Sequence, residues 1–288
     1  MRPLALVTGA GGMLGQDMTE ALSAKYHVIA LGRKELDISS PLQVQEVIEK
    51  TKPNLVVNCA AFTKVDLCEE EKELAFKVNS KGPGIVASCC NNIGAKLVHI
   101  STDYVFDGTS TRPYREDDRT NPINVYGQSK LQGEKEIMEA LSDHLIVRTS
   151  WLFGKNGPNF IKTMIELSKK TKHLKVVNDQ MGRPTYTKDL SEGVLLLLEK
   201  GAKGIVNCCN SGKCTWFDLC CHSLLIAGKK DIHIEPVSTK AFPRPAKRPR
   251  YSVLSLERFD NITKTPMRHW KQAVKAYIRE EGLDETVP

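Results

Sequence analysis

The run Val7-Thr8-Gly9-Ala10-Gly11-Gly12-Met13-Leu14-Gly15 constrains this 288-residue chain more than any other segment. It follows an apolar stretch of strand character, 4–8, and opens an amphipathic stretch of helical character, 12–25. A turn leading straight from a strand into a helix needs a residue without a Cβ at its corner, and Gly9 supplies it. Gly12 would let the backbone approach a pyrophosphate, and Gly15 would let helix and strand pack closely. The helix, opening through Met13 and Leu14, then presents free N–H groups and the positive end of its dipole to phosphate. A plain strand-to-helix turn is the alternative. The three-residue spacing of the glycines and the periodicity on either side favour a dinucleotide site.

The rest of the first half repeats that alternation. Strands are expected at 28–31, 55–58, 96–101 and 145–148, and helices from Ser40-Pro41 onward and over about 70–91. Near-continuous apolar runs such as Leu55-Val56-Val57 suit strands covered on both faces. The fold class is α/β, a Rossmann-like doubly wound parallel sheet with a smaller C-terminal domain. Residues 1–150 make the dinucleotide-binding part, completed by pieces of 187–210, and 151–288 mainly the substrate-binding part. Helices are expected at 160–169, 188–199, 216–227 and 269–281, with a basic, proline-punctuated segment at 243–250.

Composition narrows the class further. A hydrophobic content of 41% and a charged content of 26% suit a soluble globular enzyme, and no apolar run approaches the roughly 20 residues of a membrane span. The N-terminus runs directly into the glycine turn without a cleavage region, so a cytoplasmic location is expected. The nine cysteines are odd in number, include adjacent pairs such as Cys89-Cys90, and form no C-x-x-C motif, which favours reduced, buried thiols over zinc or disulfides. Lys plus Arg exceed Asp plus Glu, 41 against 34. That excess suits an anionic small molecule; no nucleic-acid-binding motif accompanies it.

At the end of the second strand, Leu31-Gly32-Arg33-Lys34 carries cations where an NAD-selecting carboxylate would stand. Arg33 would pair with the 2′-phosphate of NADPH through its planar fork, so NADPH is expected, with NADH as the alternative. Asp37 and Ile38 are placed to meet the adenine. Ala60, Ala61 and Thr63, in the loop after the third strand, are placed to cover the nicotinamide side. Tyr126 and Lys130, four apart, share one face of a helix. A lysine ammonium there would favour the phenolate and bring the tyrosine towards working range. Ser101-Thr102-Asp103 ends the fourth strand, where open sheets bind ligands, and Thr102 would donate to the carbonyl oxygen that Tyr126 protonates.

Glycine loop, S-T-D and Y-x-x-x-K together resemble the extended short-chain dehydrogenase/reductase superfamily. The longer strings Ser101-Thr102-Asp103-Tyr104-Val105-Phe106-Asp107-Gly108, Pro122-Ile123-Asn124-Val125-Tyr126-Gly127, Arg148-Thr149-Ser150-Trp151 and Asn178-Asp179-Gln180-Met181-Gly182-Arg183-Pro184-Thr185 are similar to those of the dTDP-4-dehydrorhamnose reductases. The similarity runs from Leu4 to the last helix. It implies reduction of the C4 ketone of a nucleotide-linked deoxysugar, with Tyr126 as general acid, Lys130 as its activator and ribose anchor, and Thr102 as carbonyl polariser. It also implies a sugar pocket of Asp103, Tyr104, Val105 and Trp151, with Thr63 and Val65 opposite. Trp151 would offer a flat apolar face, and the cluster Arg244, Lys247, Arg248, Arg250 would meet the diphosphate, Arg248 foremost.

Some relatives join two copies through magnesium on acidic side chains, which makes a homodimer an expectation of the same resemblance. Asp17 and Asp189 stand at suitable positions, but Gln16 adjoins the first and no third ligand is found, so no metal site is assigned. Three rivals share the fold. A dehydratase needs a carboxylate where Tyr104 stands. An epimerase uses the same Tyr-Lys chemistry and is separated by its indifference to added NADPH. A non-catalytic regulatory subunit resembling methionine adenosyltransferase beta shares some strings, but the R-T-S-W and D-Q-x-G-x-P-T segments favour the reductase.

Overall fold

In the computed structural model, which describes residues 2–284, the chain alternates strand and helix through its first half. β1 (Leu4–Thr8) passes through the glycine turn into α1 (Met13–Ser23), followed by β2 (His27–Leu31), α2 (Pro41–Thr51) and β3 (Leu55–Asn58). Next come α3 (Val65–Glu70), α4 (Lys72–Phe76), α5 (Gly82–Ile93), β4 (Lys96–Thr102), α6 (Val125–Ala140) and β5 (His144–Thr149). The second half carries β6 (Leu152–Phe153), α7 (Phe160–Ser168), β7 (His173–Val177), β8 (Met181–Gly182), β9 (Thr185–Tyr186), α8 (Thr187–Glu199) and β10 (Gly204–Asn207). It ends with β11 (Cys214–Thr215), α9 (Trp216–Ile226), β12 (His233–Val237), α10 (Glu257–Thr263) and α11 (Trp270–Glu280).

Six strands make one parallel sheet in the order β2-β1-β3-β4-β5-β10. From β1 the chain first steps to one side to form β2 and then crosses to the other to form β3. That reversal opens a crevice beyond the carboxyl ends of β1 and β3, where doubly wound sheets hold ligands. Side chains alternate across the strands, so Ala5 and Val7 join one buried layer with Met18 of α1 and Val194 of α8. Leu6 joins the other, with Ile48 of α2, Val86 of α5 and Ile137 of α6. Each such fully buried aliphatic chain contributes about 1.5–3 kcal/mol. A further core, built around Ile161, Leu174, Leu224, Val274 and Tyr277, lies among α7, α9, α11 and the β7–β12 pair. The chain then returns, and Leu254, Phe259 and Met267 pack into the first layer.

The helix expected over 70–91 is corrected. Helical structure begins earlier, at Val65, breaks at Glu71 between α3 and α4, and widens to a π-helical turn over Lys77–Lys81. Pro83 explains the widening: it has no N–H, and its ring would meet the carbonyl of Asn79 in a regular helix. β4 also runs one residue further than expected, through Thr102. All nine cysteines are free thiols. Among the described residues no helix is long and apolar enough to cross a membrane.

Candidate active site

The crevice at the β1–β3 switch has a volume of about 320 Å³ and is lined by Gly9, Gly12, Arg33, Asp37, Ile38, Ala60 and Ala61 of the expected cofactor residues. Cys59, Leu36, Phe62, Leu74 and Val78 complete its apolar walls. Its floor depends on two glycines. Gly9 adopts φ +68° and a Cβ there would stand 2.6 Å from the Ala60 nitrogen; at Gly15 a Cβ would stand 2.3 Å from the Gly9 carbonyl oxygen. Only bare backbone therefore lets α1 begin directly beneath the crevice, with its first N–H groups towards it. Leu14 and Gly15 are buried and act by packing, while Met13 is half-buried and Thr63 is exposed outside the crevice lining.

Arg33 and Lys34 are exposed at the end of β2. Asp37 is held by the Ser39 hydroxyl at 2.7 Å and the Ser39 N–H at 2.9 Å, and these bonds keep its carboxyl below the usual range. Loop 60–63 is anchored by Asn79, a residue without any sequence signal. Its carboxamide accepts from the Phe62 N–H at 2.7 Å, donates to the Phe62 carbonyl at 3.0 Å, and reaches the Ser129 hydroxyl of α6 at 3.1 Å.

Beside the crevice, α6 and the end of β4 bring Tyr126, Lys130 and Thr102 together. Asn124 starts α6 by accepting from the Gly127 N–H at 2.8 Å, so Tyr126 sits in its first turn. The phenol lies beside the Thr102 hydroxyl, and its ring packs with Cys68 and Phe62. Burial raises the Tyr126 pKa, and the neighbouring Thr102 hydroxyl only partly offsets this. In the ligand-free protein burial outweighs the lowering expected from Lys130. Lys130 is fully buried, and its amine lies 2.6 Å from the Ile100 carbonyl and 3.0 Å from His99 Nε2. Burial pushes it down to about 8, against the pull of Glu134.

The Thr102 hydroxyl donates to Asp103 Oδ1 at 3.1 Å and accepts from the Tyr104 N–H at 3.1 Å. Asp103 is buried, its Oδ2 lacks a hydrogen bond, and burial pushes its carboxyl up to about 7. Tyr104 meets Tyr126 edge to face, with ring centroids 5.8 Å apart, and burial raises its phenol too. Val65 is half-buried at the start of α3.

Three expected pocket residues stand differently. Val105 is fully buried in the core, and its side chain reaches no pocket surface. Arg248 is not free for a diphosphate: its fork grips Asp66 at 2.7 and 3.0 Å, pinning segment 243–250 over α3. Arg244, Lys247 and Arg250 are exposed. Trp151 is left-handed (φ +48°) and stacks on Trp216 with centroids 3.6 Å apart, so one indole face is already covered. A buried pair, missed by the pattern of the sequence, braces the whole group. Arg148 of β5 grips Glu134 of α6 at 2.9 and 2.6 Å, and the Ser101 hydroxyl donates to Glu134 at 2.5 Å. Asp17 is held by the Thr187 hydroxyl, and Asp189 by Arg268 and Asn210. Among the described residues no three potential metal ligands come together.

The family profile described as RmlD substrate binding domain matches residues 2–282. A dTDP-4-dehydrorhamnose reductase of Streptomyces griseus is 43% identical over 95% of this chain and 92% of its own length. The spore coat polysaccharide biosynthesis protein SpsK of Bacillus subtilis is also 43% identical, over 96% of this chain and 97% of its own. The crystal structure of dTDP-4-dehydrorhamnose reductase from Bacillus anthracis in complex with NADP superposes with a TM-score of 0.94 at 39% identity, covering 97% of this chain and all of that one.

Proposed function

Because this chain belongs to the RmlD substrate binding domain family, we propose that it reduces the C4 ketone of dTDP-4-dehydro-L-rhamnose to give dTDP-L-rhamnose, using NADPH. The observation that carries this reading is the Tyr126 phenol set beside the Thr102 hydroxyl, next to a glycine-floored crevice. The crevice fits a dinucleotide, since a Cβ at Gly9 or Gly15 would meet backbone and Arg33 stands at its rim. NADPH, when bound, supplies the hydride that adds to C4.

The chain's own residues supply the rest. Thr102 turns its hydroxyl from Asp103 to the C4 oxygen and polarises the carbonyl. Tyr126 donates its proton to that oxygen as charge builds there. A raised phenol suits this direction: it keeps its proton until the oxygen becomes alkoxide-like, and it remains a stronger acid than the product alcohol. Lys130 supports the phenolate that is left. Asp103, Tyr104, Val65, Thr63 and Trp151 would contact the sugar. Arg248 would reach the diphosphate by exchanging its Asp66 partner, and Val105 would act through packing alone. Residues 1–150, completed by parts of 187–210, would form the cofactor half, and 151–288 mainly the substrate half. A cytoplasmic homodimer is the setting we infer, checked by light scattering of the purified protein.

The test follows NADPH absorbance with dTDP-4-dehydrorhamnose generated in situ. Tyr126→Phe is expected to lower kcat by about 10²–10⁴-fold while NADPH still binds. A wild-type rate no faster than that of the variant would remove the catalytic claim.

A further inference from the structure

Asp103 opens the tight turn that follows β4, and its carboxyl is buried, with the residue 2% exposed. A buried carboxylate is costly unless cations or several donors compensate it. Here Oδ2 has no hydrogen-bond partner among the described residues, and Oδ1 has the Thr102 hydroxyl 3.1 Å away. Tyr104 faces the carboxyl from its own turn, Tyr126 from α6 and Cys209 from the loop after β10, with the Ser252 hydroxyl beside it from the returning chain. None of these is a cation. Arg248 faces Tyr104 and Arg183 faces Cys209, but their forks close on Asp66 and on the Leu254 and Gly212 carbonyls. Such surroundings favour the neutral acid, and burial pushes the carboxyl up to about 7.

The protonation of Asp103 decides where the Thr102 hydrogen points. A hydroxyl has one hydrogen and two lone pairs. One lone pair of Thr102 Oγ1 is filled by the Tyr104 N–H at 3.1 Å. An ionised Asp103 can only accept, so it takes the Thr102 hydrogen and leaves the second lone pair open to the Tyr126 phenol beside it. The hydrogens then run from Tyr126 to Thr102 to Asp103, away from any substrate. A protonated Asp103 reverses the 3.1 Å contact and fills the second lone pair. Thr102 can then only donate, and Tyr126 loses its acceptor.

We propose that Asp103 is a positioning residue acting through Thr102: in its protonated form it donates to Thr102 Oγ1 and so turns the hydroxyl hydrogens of Thr102 and Tyr126 together onto the ketone oxygen. The role rests on the reading of Thr102 and Tyr126 as carbonyl polariser and general acid of a ketone reductase. Asp103 keeps its own proton throughout, and the proton that the ketone oxygen gains comes from Tyr126.

Infrared difference spectra of the ligand-free full chain, wild type against Asp103→Asn, read the carboxylic-acid C=O stretch without any need for activity. The band is expected at pH 5 and should fade with a midpoint of about 7. A carboxyl already ionised at about pH 5, as an unperturbed aspartate would be, overturns the proposal. In the wild type, kcat/KM for NADPH oxidation is expected to fall about tenfold per pH unit above that same midpoint. The amide in Asp103→Asn does not titrate, so the fall should begin at least about one pH unit higher, whatever the height of the plateau. Ser252→Ala removes a hydroxyl that favours the ionised form, and should raise infrared midpoint and limb together. A limb unmoved in Asp103→Asn, or one that parts from the infrared midpoint in Ser252→Ala, overturns the role and leaves the reductase reading intact. A wild type that oxidises no NADPH at any pH sinks the reductase reading, and this role with it.

Discussion

Gly127 follows Tyr126 on the face of α6 that presses against the turn after β4. A Cβ built there would stand 2.1 Å from the Tyr104 carbonyl oxygen, where ordinary contact begins at 3.4 Å. Helix and turn must therefore separate by about 3.4 − 2.1 = 1.3 Å in Gly127→Ala. The carbonyl cannot simply rotate away, because the Tyr104 N–H is tied to Thr102 Oγ1 and the turn is buried. Overpacking of this kind costs about 1–3 kcal/mol. In a chain of this size that lowers Tm by roughly 2–4 °C per kcal/mol. The greater effect falls on catalysis. Tyr126 rides on α6 and Thr102 on β4, so the opening moves proton donor and carbonyl polariser apart. A displacement near 1 Å at reacting groups costs about 10²-fold in rate, and that loss in kcat is expected. Gly193→Ala in α8 is the control: its Cβ would crowd Cys208 Sγ at 2.8 Å, on the opposite layer of the sheet from Ile137 of α6. It should lower Tm comparably and leave kcat alone. Both rates are read from NADPH absorbance well below either Tm. If Gly127→Ala loses Tm yet keeps kcat within about threefold, far from the 10²-fold expected of misplacement, the close approach of α6 to the turn is not what sets the pair.

Arg33→Ala removes a charge-assisted contact to the 2′-phosphate, worth about 1.5–3 kcal/mol, and should raise the NADPH KM by about 10–100-fold while leaving NADH unaffected. Equal changes for both cofactors would contradict it. Glu134→Gln leaves Arg148 charged and buried without its partner, a loss of about 3–5 kcal/mol to be read in denaturant unfolding; a near-wild-type midpoint would mean that the pair does not brace the site. Asp103 gives a pH signature. Its folded pKa, about 7, lies above the unfolded value of 3.8, so between those values the folded state holds more protons. The stability it contributes is present at low pH and lost as pH rises through about 7. Asp103→Asn should therefore gain Tm relative to wild type between pH 5 and 8, and parallel curves would refute the raised carboxyl.

Much of the fold was legible because its signals are local. A strand running into glycines and then a helix, Pro41 at the first turn of α2, and unbroken apolar strands each report on neighbours within a few residues. The break in the helix between Val65 and Ile93 was less so, although Pro83 stood in view, because a proline can end, kink or widen a helix and the packing of Asn79 chooses. In the site, the glycine floor, Tyr126 and Lys130 were legible from spacing, and Thr102 from its place at a strand end. His99, Asn58, Asn79 and the Glu134–Arg148 pair were not. A histidine or arginine inside an apolar strand carries no periodic mark, and its meaning lies in partners 14 to 41 residues away.

The glycine turn and the four-residue step from Tyr126 to Lys130 settled what chemistry the chain could carry, since backbone freedom and helix periodicity are properties of short segments. The direction in which those side chains point belongs to tertiary structure. Lys130 turns to His99 and Ile100, Arg248 closes on Asp66, and Trp151 lies against Trp216 because buried polar groups must find partners and buried rings must be covered. Those partners come from strands, helices and loops that only the assembled sheet brings within reach.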